Sequence, residues 1–141
     1  MKTIILSMLM LVASMNVALA QNFPIDFETG TFNITNFDGG VLTVIDNPQS
    51  AGINTSVKVA QMIKNAGQPW AGSYITLADP IDFSNKKIFK MKVYSPKVGT
   101  KVLLKVENPS DNTIFYEKEM TTTIASKWEE LQFDYAKIDA T

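Results

Sequence analysis

The segments KIFKMKVY (87–94) and TKVLLKVE (100–107) carry the clearest structural signal in the chain, because each alternates apolar residues with lysines. Successive side chains of a β-strand point to opposite faces, so this alternation places lysines in water and apolar residues in a core. Residues 113–120 and 128–133 continue the same pattern. The second half of the chain therefore predicts antiparallel strands with one buried face.

The preceding residues have the same strand character. Short apolar segments are separated by clusters of Gly, Pro, Asn and Asp, and no segment has the apolar stripe and cap of a helix. We expect an all-β chain folded as an antiparallel two-sheet β-sandwich. The predicted strands are 23–28, 40–45, 56–63, 72–77, 87–94, 100–107, 113–120 and 128–133.

The first twenty residues resemble a secretory signal peptide. Lys2 supplies the positive charge, residues 4–18 are almost entirely apolar, and Ala18-Leu19-Ala20 gives a small-x-small cleavage site. A single membrane-spanning helix is the alternative, but the apolar run is shorter than the roughly 20 residues that a bilayer needs. We expect residues 21–141 to form one soluble domain, secreted or periplasmic, that does not insert into a membrane.

Composition excludes several classes of function. The chain has no Cys and no His, so disulfides, thiolate metal sites, bacterial lipid anchors and Ser-His-Asp catalysis within the chain are excluded. The formal net charge is −1, which gives no electrostatic reason to expect binding to nucleic acid.

The sequence reaches Thr141 where another strand would be expected. We interpret the chain as truncated, with the last strand of the sandwich missing. A short natural terminus is the alternative.

Several motifs resemble one family of secreted proteins. DFETG (26–30) resembles the opening, and KWEELQF (127–133) the late strand, of carbohydrate-binding modules with the galactose-binding-like jelly-roll fold. WAGSY (70–74) and IDFS (81–84) are similar to segments of such modules in Bacteroidetes proteins that degrade or capture glycans. The resemblance implies noncatalytic binding of extracellular polysaccharide, such as a β-glucan. It also implies a catalytic or anchoring domain C-terminal to this chain.

A sugar ring stacks its apolar face on an aromatic side chain, while polar groups at the rim bind its hydroxyls. Trp70, which follows a loop signal, is the best candidate platform. Asn65 and Gln68 are candidate rim amides, and Tyr74 extends the surface. In the alternative interpretation Trp70 plugs the core and its N–H is bonded locally.

Two further aromatic residues require separate interpretations. Phe37 lies in the turn NFDGG (36–40) and either reaches a ligand or pins that turn to the core. Trp128 opens an alternating strand, and in the resembled modules this tryptophan generally helps to close the sandwich. We therefore predict a structural role for Trp128.

The resemblance also implies a structural calcium ion. Glu28 is the ligand that the motif supplies, with Asp139 as its C-terminal partner, whereas Asp26 is weaker because strand alternation points it the other way. Calcium takes six to eight oxygen ligands, so one carboxylate with carbonyls and water is only part of such a site. The alternative is that these residues are solvated acids at strand ends.

We predict that the chain is not an enzyme. Glycoside hydrolysis needs two carboxyl groups that face each other across a cleft. Glu129 and Glu130 are neighbours on one strand and point to opposite faces, so they do not form that pair. The competing hypothesis to glycan binding is a structural or adhesive extracellular β-sandwich that binds protein.

Overall fold

The computed structural model describes residues 23–85 and 87–136. Within these residues the strands account for all regular secondary structure, which confirms the predicted all-β class. The described part accordingly has no helix of the length and hydropathy needed to cross a bilayer. The strands are β1 (Ile34–Phe37), β2 (Gly40–Asp46), β3 (Lys58–Lys64), β4 (Gly72–Ile75), β5 (Ile88–Tyr94), β6 (Lys101–Asn108), β7 (Asp111–Thr121) and β8 (Trp128–Asp134).

The described strands form four antiparallel pairs. β1 pairs with β4, β2 with β3, β5 with β8, and β6 with β7. The first four strands thus pair among themselves, as do the last four. The sheets are small, and among the described residues they are neither joined into two large sheets nor closed.

Two strand predictions need correction. Residues 23–28 are not a strand, because Phe27 has a φ of 62°, in the left-handed region that extended backbone does not use. The strand β1 was not predicted, because its sequence ITNF contains Asn and Thr and has no clear alternation. β1 is extended because it hydrogen-bonds to β4, so a tertiary contact outweighs its weak local preference.

The hydrophobic core lies between the pair β5–β8 and the pair β6–β7. Phe133 is fully buried, and Leu131 and Tyr135 are nearly so. The register partners of Phe133 and Leu131 on β5 lie on the same side of the sheet and extend this cluster. The half-buried side chains packed against this cluster are Phe83, Phe89, Met91, Val93, Val102, Leu104, Val106 and Met120.

The lysines of β5 and β6 lie on the outward side, as the alternation predicted. Lys90 Nζ forms an ion pair of 2.9 Å with the Glu130 carboxylate on β8. Both side chains are exposed, so this pair contributes at most about 1 kcal/mol. Burial of the inward residues is therefore the main stabilising term in this part of the fold.

Candidate functional site

Phe37 and Tyr74 lie on one face of the β1–β4 pair. Phe37 is the register partner of Gly72, and Tyr74 is the partner of Thr35. Residues two positions apart on a strand point to the same side, so both rings project from this face. Their centroids are 6.3 Å apart with an interplanar angle of 36°, and Tyr74 is 50% exposed.

Gly72 leaves the space that the Phe37 ring occupies. A Cβ built on Gly72 would lie 3.0 Å from Cζ of Phe37, so the ring lies directly over the glycine backbone. A residue without a side chain at this register position lets the ring lie against the sheet. Phe37 nevertheless stays exposed on its other side.

Trp70 is 64% exposed, in the loop between β3 and β4. Its indole Nε1 donates a hydrogen bond of 2.7 Å to Oδ2 of Asp38, in the turn between β1 and β2. The N–H is therefore bonded locally, but the indole is not buried as a core plug would be. A charge-assisted hydrogen bond of this kind restricts the orientation of an exposed ring.

The turn that carries Asp38 is tight. Asp38 and Gly39 have φ angles of 52° and 95°, the positive pair that type I′ turns use. The N–H of Gln68 donates to the carbonyl of Asp38 at 3.2 Å, and the N–H of Asn65 donates to that of Gly39 at 2.9 Å. The loop that carries Trp70 is thus bonded through its backbone to the turn that holds its indole.

Close backbone packing further fixes the contact between the β1–β2 turn and the loop that carries Trp70, which is called the corner below. A Cβ on Gly67 would overlap the carbonyl oxygen of Asp38, and a Cβ on Gly40 would overlap the backbone of Gly72. The two segments approach this closely because glycines stand at the contact positions.

The side chains of Asn65 and Gln68 are exposed in the loop that carries Trp70. The structure adds polar groups that the sequence interpretation did not include. Asn36 Oδ1 accepts hydrogen bonds from the Leu42 N–H at 2.9 Å and from Ser73 Oγ at 2.5 Å. The Asp38-Gly39 dipeptide is the sequence signal by which the turn and its carboxylate could have been found.

Glu28 has a structural contact in this fold. Its Oε1 accepts a hydrogen bond of 2.6 Å from the Val57 N–H and a weaker one of 3.4 Å from the Lys58 N–H at the start of β3. No group of three or more His, Cys, Asp or Glu side chains suited to a metal ion forms within residues 23–85 and 87–136. Asp139 lies outside the described residues, so the calcium site remains a prediction. The predicted signal segment 1–20 also lies outside them.

Glu129 is buried while Glu130 is exposed, as expected for neighbours on one strand. The Glu129 carboxylate accepts hydrogen bonds from the N–H and hydroxyl of Thr123 and from the N–H of Ile124, at 2.9–3.3 Å. These bonds, chiefly that from the Thr123 N–H, lower the pKa of Glu129 below its usual 4.5. Glu129 therefore stabilises the turn between β7 and β8 in its charged form.

This lowered pKa predicts a pH-dependent stability. A carboxyl whose pKa is lower in the folded state stabilises the fold above its unfolded-state pKa, and that stability is lost as the pH falls through the folded value. The melting temperature should therefore fall as the pH drops below about 4.5, and it should fall less in Glu129→Gln. Thermal unfolding of both proteins by circular dichroism tests this, and identical pH profiles would contradict it.

Trp128 is partly buried against Tyr94, its register partner on β5, with ring centroids 5.6 Å apart. Its Nε1 donates a hydrogen bond of 2.7 Å to the carbonyl of Gln49. Trp128 thereby ties the loop after β2 to the outward side of the β5–β8 pair. The hydrogen bond gives Trp128 a structural contact, and its predicted role in closing the sandwich stays a prediction.

Comparison of the chain with protein-family models, curated proteins and solved structures finds no significant match. The arrangement of Phe37, Trp70 and Tyr74 must therefore be interpreted from its own geometry.

Proposed function

We propose that this protein is a noncatalytic binding module for extracellular polysaccharide, and that Trp70, Phe37 and Tyr74 form its sugar-contacting surface. The observation that carries the proposal is the exposed indole of Trp70, held in orientation by Asp38. An exposed aromatic ring held in one orientation offers a flat apolar face, and the C–H face of a pyranose is a suitable partner for it.

The polar groups around these rings support the same interpretation. Sugar hydroxyls both donate and accept hydrogen bonds, and the exposed amides of Asn65 and Gln68 offer both functions. Backbone hydrogen bonds between the loop and the Asp38 turn fix the corner before any ligand arrives. Such preorganisation lowers the entropic cost of binding.

The proposed biological setting follows from the sequence. A secreted or periplasmic module that holds an attached enzyme or a cell surface near a glycan raises the effective concentration of substrate. We propose the galactose-binding-like jelly-roll sandwich as its complete architecture, with the packed pairs β5–β8 and β6–β7 as part of it. A β-glucan is the proposed ligand class.

Native affinity electrophoresis through gels that contain laminarin, mixed-linkage glucan, xylan or no glycan tests this function. We expect one polysaccharide to retard the wild-type band and Trp70→Ala to reduce that retardation strongly. Loss of a central stacking residue costs about 2 kcal/mol, which corresponds to about 30-fold in affinity. Because Trp70 is mostly exposed, the variant should unfold at the wild-type temperature.

Phe115→Ala is the matched control, because Phe115 is also an exposed aromatic residue, 45% accessible, but lies on β7. It should bind as the wild type does. If none of the three polysaccharides retards the folded wild-type protein, the glycan proposal is wrong and the protein-binding alternative gains support.

A further inference from the structure

A cavity lies on the outward side of the β5–β8 pair and shares no lining residue with the surface around Trp70. Its volume is about 340 Å³, at the small end of the range for ligand sites. One wall is the aromatic pair Tyr94 and Trp128, and the other is the loop after β2. The lining residues are Gln49, Ala51, Gly52, Ile53, Tyr94, Ser126, Lys127 and Trp128.

The aromatic wall of this cavity is fixed before any ligand binds. The hydrogen bond from Trp128 to the Gln49 carbonyl holds the indole, and the Tyr94 ring meets it at an interplanar angle of 63°. Ser126 has a φ of 55° and is held by a 2.7 Å hydrogen bond from its N–H to the carbonyl of Ser95. Non-glycine residues in this backbone region are often found at binding sites.

The polar lining suits a hydroxylated ligand. Gln49, Ser126 and Lys127 are exposed at the cavity and offer an amide, a hydroxyl and an ammonium group. A few polar groups beside an aromatic wall are the combination that binds a sugar ring.

We propose that this cavity, named here the Trp128 cavity, is a second saccharide site that takes one pyranose unit of a glycan chain. The inference rests on the proposed glycan binding but uses none of its residues. Two separate sites on one small module bind one long polysaccharide more tightly than either site alone.

The chain has two tryptophans, Trp70 and Trp128, and one lies at each proposed site. The indole N–H signals in a ¹H–¹⁵N correlation spectrum therefore report the two sites separately, and Trp70→Ala assigns them. We would titrate the wild-type protein and Trp70→Ala with laminarihexaose and with cellohexaose.

We expect the Trp128 signal to shift on titration in both proteins. Ile53→Ala removes apolar contact from the cavity wall. Because Ile53 is half exposed, we expect a loss similar to that of burying about one methylene group, so the dissociation constant obtained from the Trp128 signal should rise about fourfold. The Trp70 response should not change in this variant.

If the Trp128 signal of Trp70→Ala does not shift at saturating oligosaccharide, the second site is refuted. The proposed Trp70 surface is not affected by that result. A response of Trp128 alone would support the second site and refute the role of Trp70. If neither indole responds to either probe, both proposals are wrong.

Discussion

Replacing Phe133 with Ala is expected to lower the free energy of unfolding by about 3–5 kcal/mol, the range for deleting a fully buried aromatic side chain. Phe133 has no solvent-exposed surface and belongs to the hydrophobic cluster between β5–β8 and β6–β7. Phe133 and Thr122 are the largest fully buried side chains of the described residues, so this substitution removes much of the fully buried apolar surface.

Urea denaturation followed by tryptophan fluorescence measures this loss. The matched control is Gln132→Ala, one position away on β8 but on the exposed side, which should change stability by less than about 0.5 kcal/mol. Small domains have total stabilities of about 5–15 kcal/mol, so Phe133→Ala should leave a large fraction of the protein unfolded at moderate urea. Similar losses in the two variants would show that β8 does not have the buried face described here.

Gly67→Ala should have the second largest effect, a loss of about 3 kcal/mol together with loss of glycan binding. Its added Cβ would overlap the carbonyl oxygen of Asp38, so the loop and the turn must move apart. That movement breaks the backbone bond from Gln68 to Asp38 and separates Trp70 from the carboxylate that orients it. One methyl group should thus affect both the corner and the proposed sugar surface.

Gly52→Ala is the control for this prediction. Gly52 has a positive φ of 63°, but no atom lies within 4 Å of the position of an added Cβ. Its substitution therefore costs only the backbone preference, about 1 kcal/mol, without a steric overlap. If Gly67→Ala and Gly52→Ala lose stability equally in urea denaturation, close packing at the Asp38 turn is not the reason for the glycine at position 67.

Only part of the candidate surface could be predicted from the sequence. Trp70 could be selected because a large aromatic residue after a loop signal suggests contact, but its exposure could not be distinguished from burial at the end of a core. That distinction depends on Asp38, which is 32 positions away and accepts the indole hydrogen bond. Sequence spacing does not encode such a pair, because it forms only when the β1–β2 turn meets the loop before β4.

The all-β class, the antiparallel pairing and the inward side of β5, β6 and β8 could be predicted from the chain. These follow from the two-residue period of β-structure, which the lysines of β5 and β6 display directly. Residues 113–120 were also predicted to have one buried face, but β7 is exposed over nearly its whole length. The tertiary structure alone decided that β1 is a strand, that 23–28 is not, and that Glu129 bonds a turn in its charged form. These depend on hydrogen bonds to distant residues or on backbone angles at single positions, and neither leaves a periodic pattern in the chain.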